Sequence, residues 1–307
     1  MGSIAVVFPG QGSQYLGMGQ KFHESDNEAR RVFELAQKAS GLDIAKLCFE
    51  GPLDELTLTV NLQPAVVAVD LACWLALEAA GVQPVAVAGH SLGEYPALVA
   101  CGALGLEDCL RLVSLRGRLM DRDAKENPGA MSAIMGMSPE QVAELCDQVD
   151  GVVQPANYNS PAQTVITGAK EAVAAAGKLA KERGAKAIPL KVSGAWHSPF
   201  MARAAEEMRQ ALSETPFSEP RCAHVPNTTG RPTKNATEIA LEIQNQLTSP
   251  VRWVQTVQAL LEMGVDTFIE AGPKNVLSGL IKKTAPKDTR VFNFDTPQAL
   301  AELLEKL

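Results

Sequence analysis

Val85-Ala-Val-Ala-Gly-His-Ser-Leu-Gly-Glu-Tyr95 is the stretch on which the fold turns. An apolar strand is expected over 85–88 and a helix over 95–101. Between them, Gly89-x-Ser91-x-Gly93 has the spacing of a nucleophile elbow. The turn it needs is so tight that a side chain at Gly89 or Gly93 would strike the neighbouring strand and helix. Ser91 would then sit in a strained conformation with its hydroxyl exposed. The N–H groups and positive dipole end of the next helix would face that hydroxyl. The Leu92 N–H would be placed to stabilise an oxyanion. The plainer alternative is a glycine-flanked serine acting as a helix N-cap. Strand and helix both fall where the elbow requires them, which favours the elbow.

Upstream, an apolar strand is expected over 4–8, followed by the glycine-rich run Pro9-Gly-Gln-Gly-Ser-Gln14. Its spacing fits neither the dinucleotide fingerprint nor the Walker pattern. Glycines let the backbone approach a ligand, so the Gln11 N–H is a candidate second oxyanion donor. A plain glycine turn fits the spacing equally. Helices are expected over 27–40 and 61–80, the second with Pro64 in its first turn and Gly81 beyond its end. A helix over 107–121 follows the elbow. Cys109, Leu112, Val113 and Met120 form its apolar face, with Arg111, Ser114 and Arg118 opposite. Arg116 falls within the apolar face. A buried arginine needs a partner, either a protein carboxylate or an anionic ligand.

After Glu126-Asn-Pro-Gly129 the rhythm changes. Strands over 130–135, 152–157, 163–167 and 186–192 alternate with helices over 139–149 and 170–184. That order, β-α-β-β-α-β, is a split ferredoxin-like unit. Residues 125–193 are therefore expected to form an inserted small subdomain. Strands over 222–226, 266–270 and 290–294 then alternate with helices over 199–213, 237–247, 251–263, 273–284 and 297–306. Residues 1–124 and 194–307 make one discontinuous large domain, an α/β fold with a mostly parallel, helix-covered sheet.

Composition narrows the classes. An apolar fraction of 46% supplies a core, and a net charge of −7 without a basic run argues against nucleic acid. The six cysteines form no C-x-x-C pair, and most lie in apolar stretches, so buried reduced thiols are expected. No window approaches an unbroken apolar run of membrane length, so no span is expected. Residues 4–8 are too short for a signal peptide. A soluble cytoplasmic protein is the expectation.

A serine nucleophile needs a base within hydrogen-bond reach. His23 sits at a polar helix end. His90 adjoins Ser91, but neighbouring side chains at a turn point apart. His224 lies inside a short strand. His197, in Ser193-Gly-Ala-Trp-His-Ser-Pro199, lies in the loop re-entering the large domain, where functional residues gather. An elbow hydrolase would show an acid and then a late histidine. No histidine follows His224, so a Ser–His dyad is expected, its imidazole oriented by something such as a backbone carbonyl.

Taken together these motifs resemble the malonyl-CoA:acyl-carrier-protein transacylases of bacterial fatty-acid synthesis and the acyltransferase domains of polyketide synthases. The resemblance runs from residue 8 to about 279. It is carried by PGQGSQ at 9–14, GHSLGEY at 89–95, the arginine helix, NYNSP at 157–161, AWHSPFM at 195–201, Gln246 before Pro250-Val-Arg-Trp, and EAGP at 270–273. It implies an α/β-hydrolase-like domain with a ferredoxin-like insertion.

The resemblance also implies roles. Ser91 is the nucleophile and His197 its base, then the acid for the leaving thiol. The N–H groups of Gln11 and Leu92 form the oxyanion hole. Arg116 holds the free carboxylate of the malonyl group, Gln246 supports the site by orienting His197, and Asn157 and Asn159 line the cleft. Two departures are visible: Trp196 stands where malonyl-specific members usually carry Phe, and Lys274 replaces a glycine. Trp196 would still crowd an α-methyl group. The implied reaction is a ping-pong transfer from malonyl-CoA to the phosphopantetheine thiol of acyl carrier protein, by a monomer with no permanently bound cofactor and no metal. Candidate docking residues for an acidic carrier are Lys178, Lys181, Arg183 and Lys186, and Lys282, Lys283 and Lys287; solvated helix faces fit these basic residues equally. The rival readings are a stand-alone acyltransferase loading a polyketide synthase, a serine thioesterase and a non-enzymatic acyl-binding module.

Overall fold

A computed structural model describes residues 2–307. Its strands are β1 (Ile4–Phe8), β2 (Ala86–Gly89), β3 (Ala130–Met135), β4 (Val153–Ser160), β5 (Gln163–Gly168), β6 (Lys186–Pro189), β7 (Ala223–His224), β8 (Thr267–Ala271) and β9 (Arg290–Phe294). They form two sheets: a five-stranded one in the order β7-β2-β1-β8-β9 and a four-stranded one in the order β4-β5-β3-β6. Every pair in the first is parallel. Every pair in the second is antiparallel. The fold is therefore mixed α/β.

The parallel sheet is covered on both faces, which is why its strands read as unbroken apolar runs. Alternate residues serve opposite cores. Val6 and Phe8 face the core built with the helices Asn27–Ser40, Thr59–Ala79 and Leu106–Glu126. Ala5 and Val7 face Trp253, Val257, Leu277 and Ile281 from the helices Trp253–Glu262 and Val276–Thr284. Each fully buried Val, Leu, Ile or Phe side chain among these stabilises the fold by roughly 1.5–3 kcal/mol. The antiparallel sheet is also two-faced. Ile134 and Ile166 pack on the helices Pro139–Asp147 and Lys170–Glu182, while Met131, Ala133 and Val165 join the main core. A parallel bridge between Asn157 and Val251 stitches β4 to the chain that follows it in the larger part.

Register positions the site. Phe8 pairs with Gly89, and the His90 N–H donates to the Phe8 carbonyl at 3.0 Å. The loops after β1 and β2 thus leave neighbouring strands at one edge, where α/β sheets place ligands.

Several boundaries differ from the sequence reading for local reasons. The arginine helix runs on to Glu126, stopped by the Asn-Pro-Gly that follows. Ser114, read as exposed, is buried, its hydroxyl donating to the Leu110 carbonyl at 2.7 Å. β7 keeps two ladder residues because Pro226 ends it. The helix Thr59–Ala79 is long and apolar enough to cross a membrane by length and composition, yet 78% of that window is buried. Asn61, Gln63 and Asp70 interrupt its apolar run, so the sequence shows no unbroken stretch of membrane length.

Candidate active site

The elbow forms as its glycines require. A Cβ on Gly89 would lie 1.9 Å from the Gly93 carbonyl oxygen, and one on Gly93 would lie 2.1 Å from that of Phe8. Ser91 takes φ 52°, a left-handed conformation that a non-glycine residue adopts only under constraint. A short 3-10 turn, Ser91–Gly93, leads into the helix Glu94–Ala100.

Ser91 Oγ lies 2.8 Å from Nε2 of His197, a residue 106 positions away. His197 is also left-handed, at φ 58°. Its Nδ1 lies 3.0 Å from the carbonyl oxygens of both Gln246 and Ser249. Two acceptors place the ring proton on Nδ1 and leave Nε2 to accept from Ser91. No carboxylate is needed for that tautomer. Burial, then the Arg116 charge, holds the imidazole pKa down at about 3, so the ring is unprotonated at neutral pH and Nε2 is free to accept.

Arg116 is 1% exposed. Its Nη1 donates to Gln63 Oε1 at 2.8 Å, and its Nη2 to Gln246 Oε1 at 3.1 Å and to Ser91 Oγ at 3.3 Å. The guanidinium carbon sits 5.8 Å from the centre of the Tyr95 ring. All these acceptors are neutral, and Nε has no partner among the described residues. Of the two partners open to a buried arginine, the protein carboxylate is absent from its contacts.

The glycine-rich loop presses on the elbow. A Cβ on Gly10 would lie 2.5 Å from the His90 oxygen and 3.5 Å from the Leu92 nitrogen. Neither the Gln11 nor the Leu92 N–H donates to a protein acceptor among the described residues. Asn157 is buried at the bridge to Val251. Asn159 Oδ1 lies 2.8 Å from His90 Nε2, which accounts for that histidine. The Trp196 ring folds back over Gly194 into the main core.

The profile of the acyl transferase domain family matches residues 5–296. This chain belongs to that family. The acyl transferase is 42% identical over 287 residues to the malonyl CoA-acyl carrier protein transacylase of Bacillus subtilis (strain 168), a match covering 92% of this chain and 90% of the relative. It superposes on the malonyl CoA-acyl carrier protein transacylase of Coxiella burnetii with a TM-score of 0.95 at 37% identity, covering 100% of this chain and 98% of that one. A malonyl-transacylase in complex with its type II PKS acyl-carrier protein matches with a TM-score of 0.95 at 38% identity, covering 99% and 100%.

Four residues of the acyl transferase site escaped the sequence reading. Asn227 accepts the Ser91 N–H on Oδ1 and donates from Nδ2 to the Gly89 carbonyl, both at 2.6 Å. Gln63 anchors Arg116; a glutamine within an apolar helix was the available signal. The Ser249 carbonyl shares the His197 proton. Glu94 accepts from Gln246 Nε2 at 2.7 Å. Gln246 therefore serves His197 through its backbone, and Arg116, Glu94 and the Ser91 carbonyl through its side chain. Lys274 takes φ 64°, which explains why a glycine suits that position. No group of three His, Cys, Asp or Glu side chains poised for a metal occurs among the described residues.

Proposed function

We propose that this acyl transferase moves a malonyl group from malonyl-CoA to the phosphopantetheine thiol of acyl carrier protein. The observation that carries the reading is Arg116: a buried guanidinium with no carboxylate among its hydrogen-bond acceptors, 3.3 Å from the candidate nucleophile. A fork of this kind takes a carboxylate bidentately. The relatives' names point to the same donor and acceptor.

In the first step Ser91 Oγ attacks the thioester carbonyl while His197 Nε2 takes its proton. The oxyanion is held by the N–H groups of Gln11 and Leu92, whose lack of protein partners supports that role. The C–S bond then breaks, and the coenzyme A sulfur leaves with the proton from His197. In the second step the carrier thiol attacks the malonyl ester through the same sequence, and Ser91 recovers its proton. This is ping-pong transfer. Trp196 crowds an α-methyl group and disfavours methylmalonyl. Asn157 lines the cleft.

The larger part, 1–124 and 194–307, reads as α/β-hydrolase-like, and 125–193 as a ferredoxin-like insertion. The enzyme works as a cytoplasmic monomer on a coenzyme A thioester without a resident cofactor. The carrier docks on Lys178, Lys181, Arg183 and Lys186, or on Lys282, Lys283 and Lys287. The relative bound to a type II PKS carrier keeps a polyketide carrier as the second reading.

Intact-mass measurement after mixing with malonyl-CoA, acetyl-CoA and methylmalonyl-CoA in turn tests the proposal. A malonyl adduct that disappears in Ser91→Ala supports it. Absence of the adduct from the unaltered chain overturns it.

A further inference from the structure

The reaction above leaves one buried acid beside the site unused. Glu94 begins the helix after the elbow and is 1% exposed. Its Oε2 accepts from Gln246 Nε2 at 2.7 Å, and its Oε1 accepts the Asn227 N–H at 3.3 Å. Oε1 also lies 3.6 Å from Nε2 of His224, itself 1% exposed on β7. Neither ring nitrogen of His224 has a hydrogen-bond partner among the described residues. The Gln246 amide is thus a bridge, its oxygen accepting from Arg116 and its nitrogen donating to Glu94. Glu242, held by the Thr228 hydroxyl, is the other acid that acts on Glu94. Tyr95, next along the same helix, keeps its proton because burial raises its pKa.

With the site empty, the Arg116 cation and the Glu94 carboxylate balance one another across one amide. A docking carboxylate adds a second negative charge to the same water-poor space. Two acids sharing one guanidinium are penalised unless one takes a proton. A protonated Glu94 would be a donor, and the orphaned His224 nitrogen is the acceptor beside it.

We propose that Glu94 and His224 form a proton-storing pair that takes up one proton from solvent when an anionic acyl group docks on Arg116. This rests on reading Arg116 as the grip on the substrate carboxylate. Burial supports it by pushing the Glu94 carboxyl up to about 7, against its hydrogen bonds and the Arg116 charge. Burial also holds His224 down at about 3, so its ring is neutral and free to accept. Above pH 7 Glu94 is ionised in the empty site and uptake is whole. Below it the proton is already bound and uptake fades.

The test counts protons with a pH indicator in weak buffer as the full chain reacts with malonyl-CoA, normalised to acyl-enzyme by intact mass and corrected for ionisation of the released thiol. Uptake near one proton at about pH 8 and near zero at about pH 6 is expected. Glu94→Gln should take up none per acyl group formed; this separates Glu94 from His197, which also faces Arg116. In the unaltered enzyme, KM for malonyl-CoA should rise up to about tenfold per pH unit above 7 while kcat stays level. Acylation without uptake, or a KM flat across that range, overturns the proposal and leaves the transferase reading intact. Absence of acylation overturns both.

Discussion

Asn227 straddles Ser91: one amide group holds the Ser91 N–H and the Gly89 carbonyl, each at 2.6 Å. Left-handed backbone at a non-glycine residue is costly and persists only where its surroundings over-determine it. The clamp supplies that constraint from a loop 136 residues away. Asn227→Ala strands a part-buried donor and a buried acceptor, and should cost about 1–3 kcal/mol of stability in urea unfolding. Misplacement of the hydroxyl should slow single-turnover acylation by roughly a hundredfold. A variant that acylates at the full rate would show that Ser91 holds itself.

Arg116 gives the sharpest specificity prediction. Arg116→Ala removes the fork and should lower malonyl transfer by on the order of a hundredfold or more relative to acetyl transfer. Arg116→Lys should recover little, since an ammonium cannot match a bidentate fork. Competition between the two thioesters measures the ratio. Equal losses for both would reduce Arg116 to a structural role.

His197 sets the acid limit of activity. A neutral imidazole is the working form, and its pKa is held at about 3 by burial and the Arg116 charge. The lowered value keeps the base unprotonated as pH falls, so kcat/KM for malonyl-CoA should stay level from about pH 7 to about pH 5. An inflection near 6.5, the ordinary histidine value, would show that solvent reaches the ring in the working enzyme.

Lys274 is a strained position open to improvement. Its left-handed backbone costs roughly 1–2 kcal/mol, which glycine avoids. Its ammonium reaches the Gly12 carbonyl at 3.3 Å on an exposed face, a weak compensation. Lys274→Gly should raise stability by about 1 kcal/mol in chemical denaturation. A loss would mean that the tie to the glycine-rich loop outweighs the backbone strain.

Much of this protein is legible in its sequence by itself. Gly89 and Gly93 decide the elbow because the clash they avoid lies within a few residues of chain or against the adjacent strand. The unbroken apolar run at β1 implies a sheet covered on both faces, and the phase of the arginine helix puts Arg116 among buried side chains. These are short-range consequences of side-chain size and period. Tertiary structure alone decided that Arg116 hydrogen-bonds no carboxylate directly, that two backbone carbonyls orient His197, that Asn227 clamps Ser91 and that Glu94 faces an unpartnered His224. Periodicity assigns a face to a residue. The partner across that face comes from a segment scores of residues away, and only packing brings the two within hydrogen-bond reach.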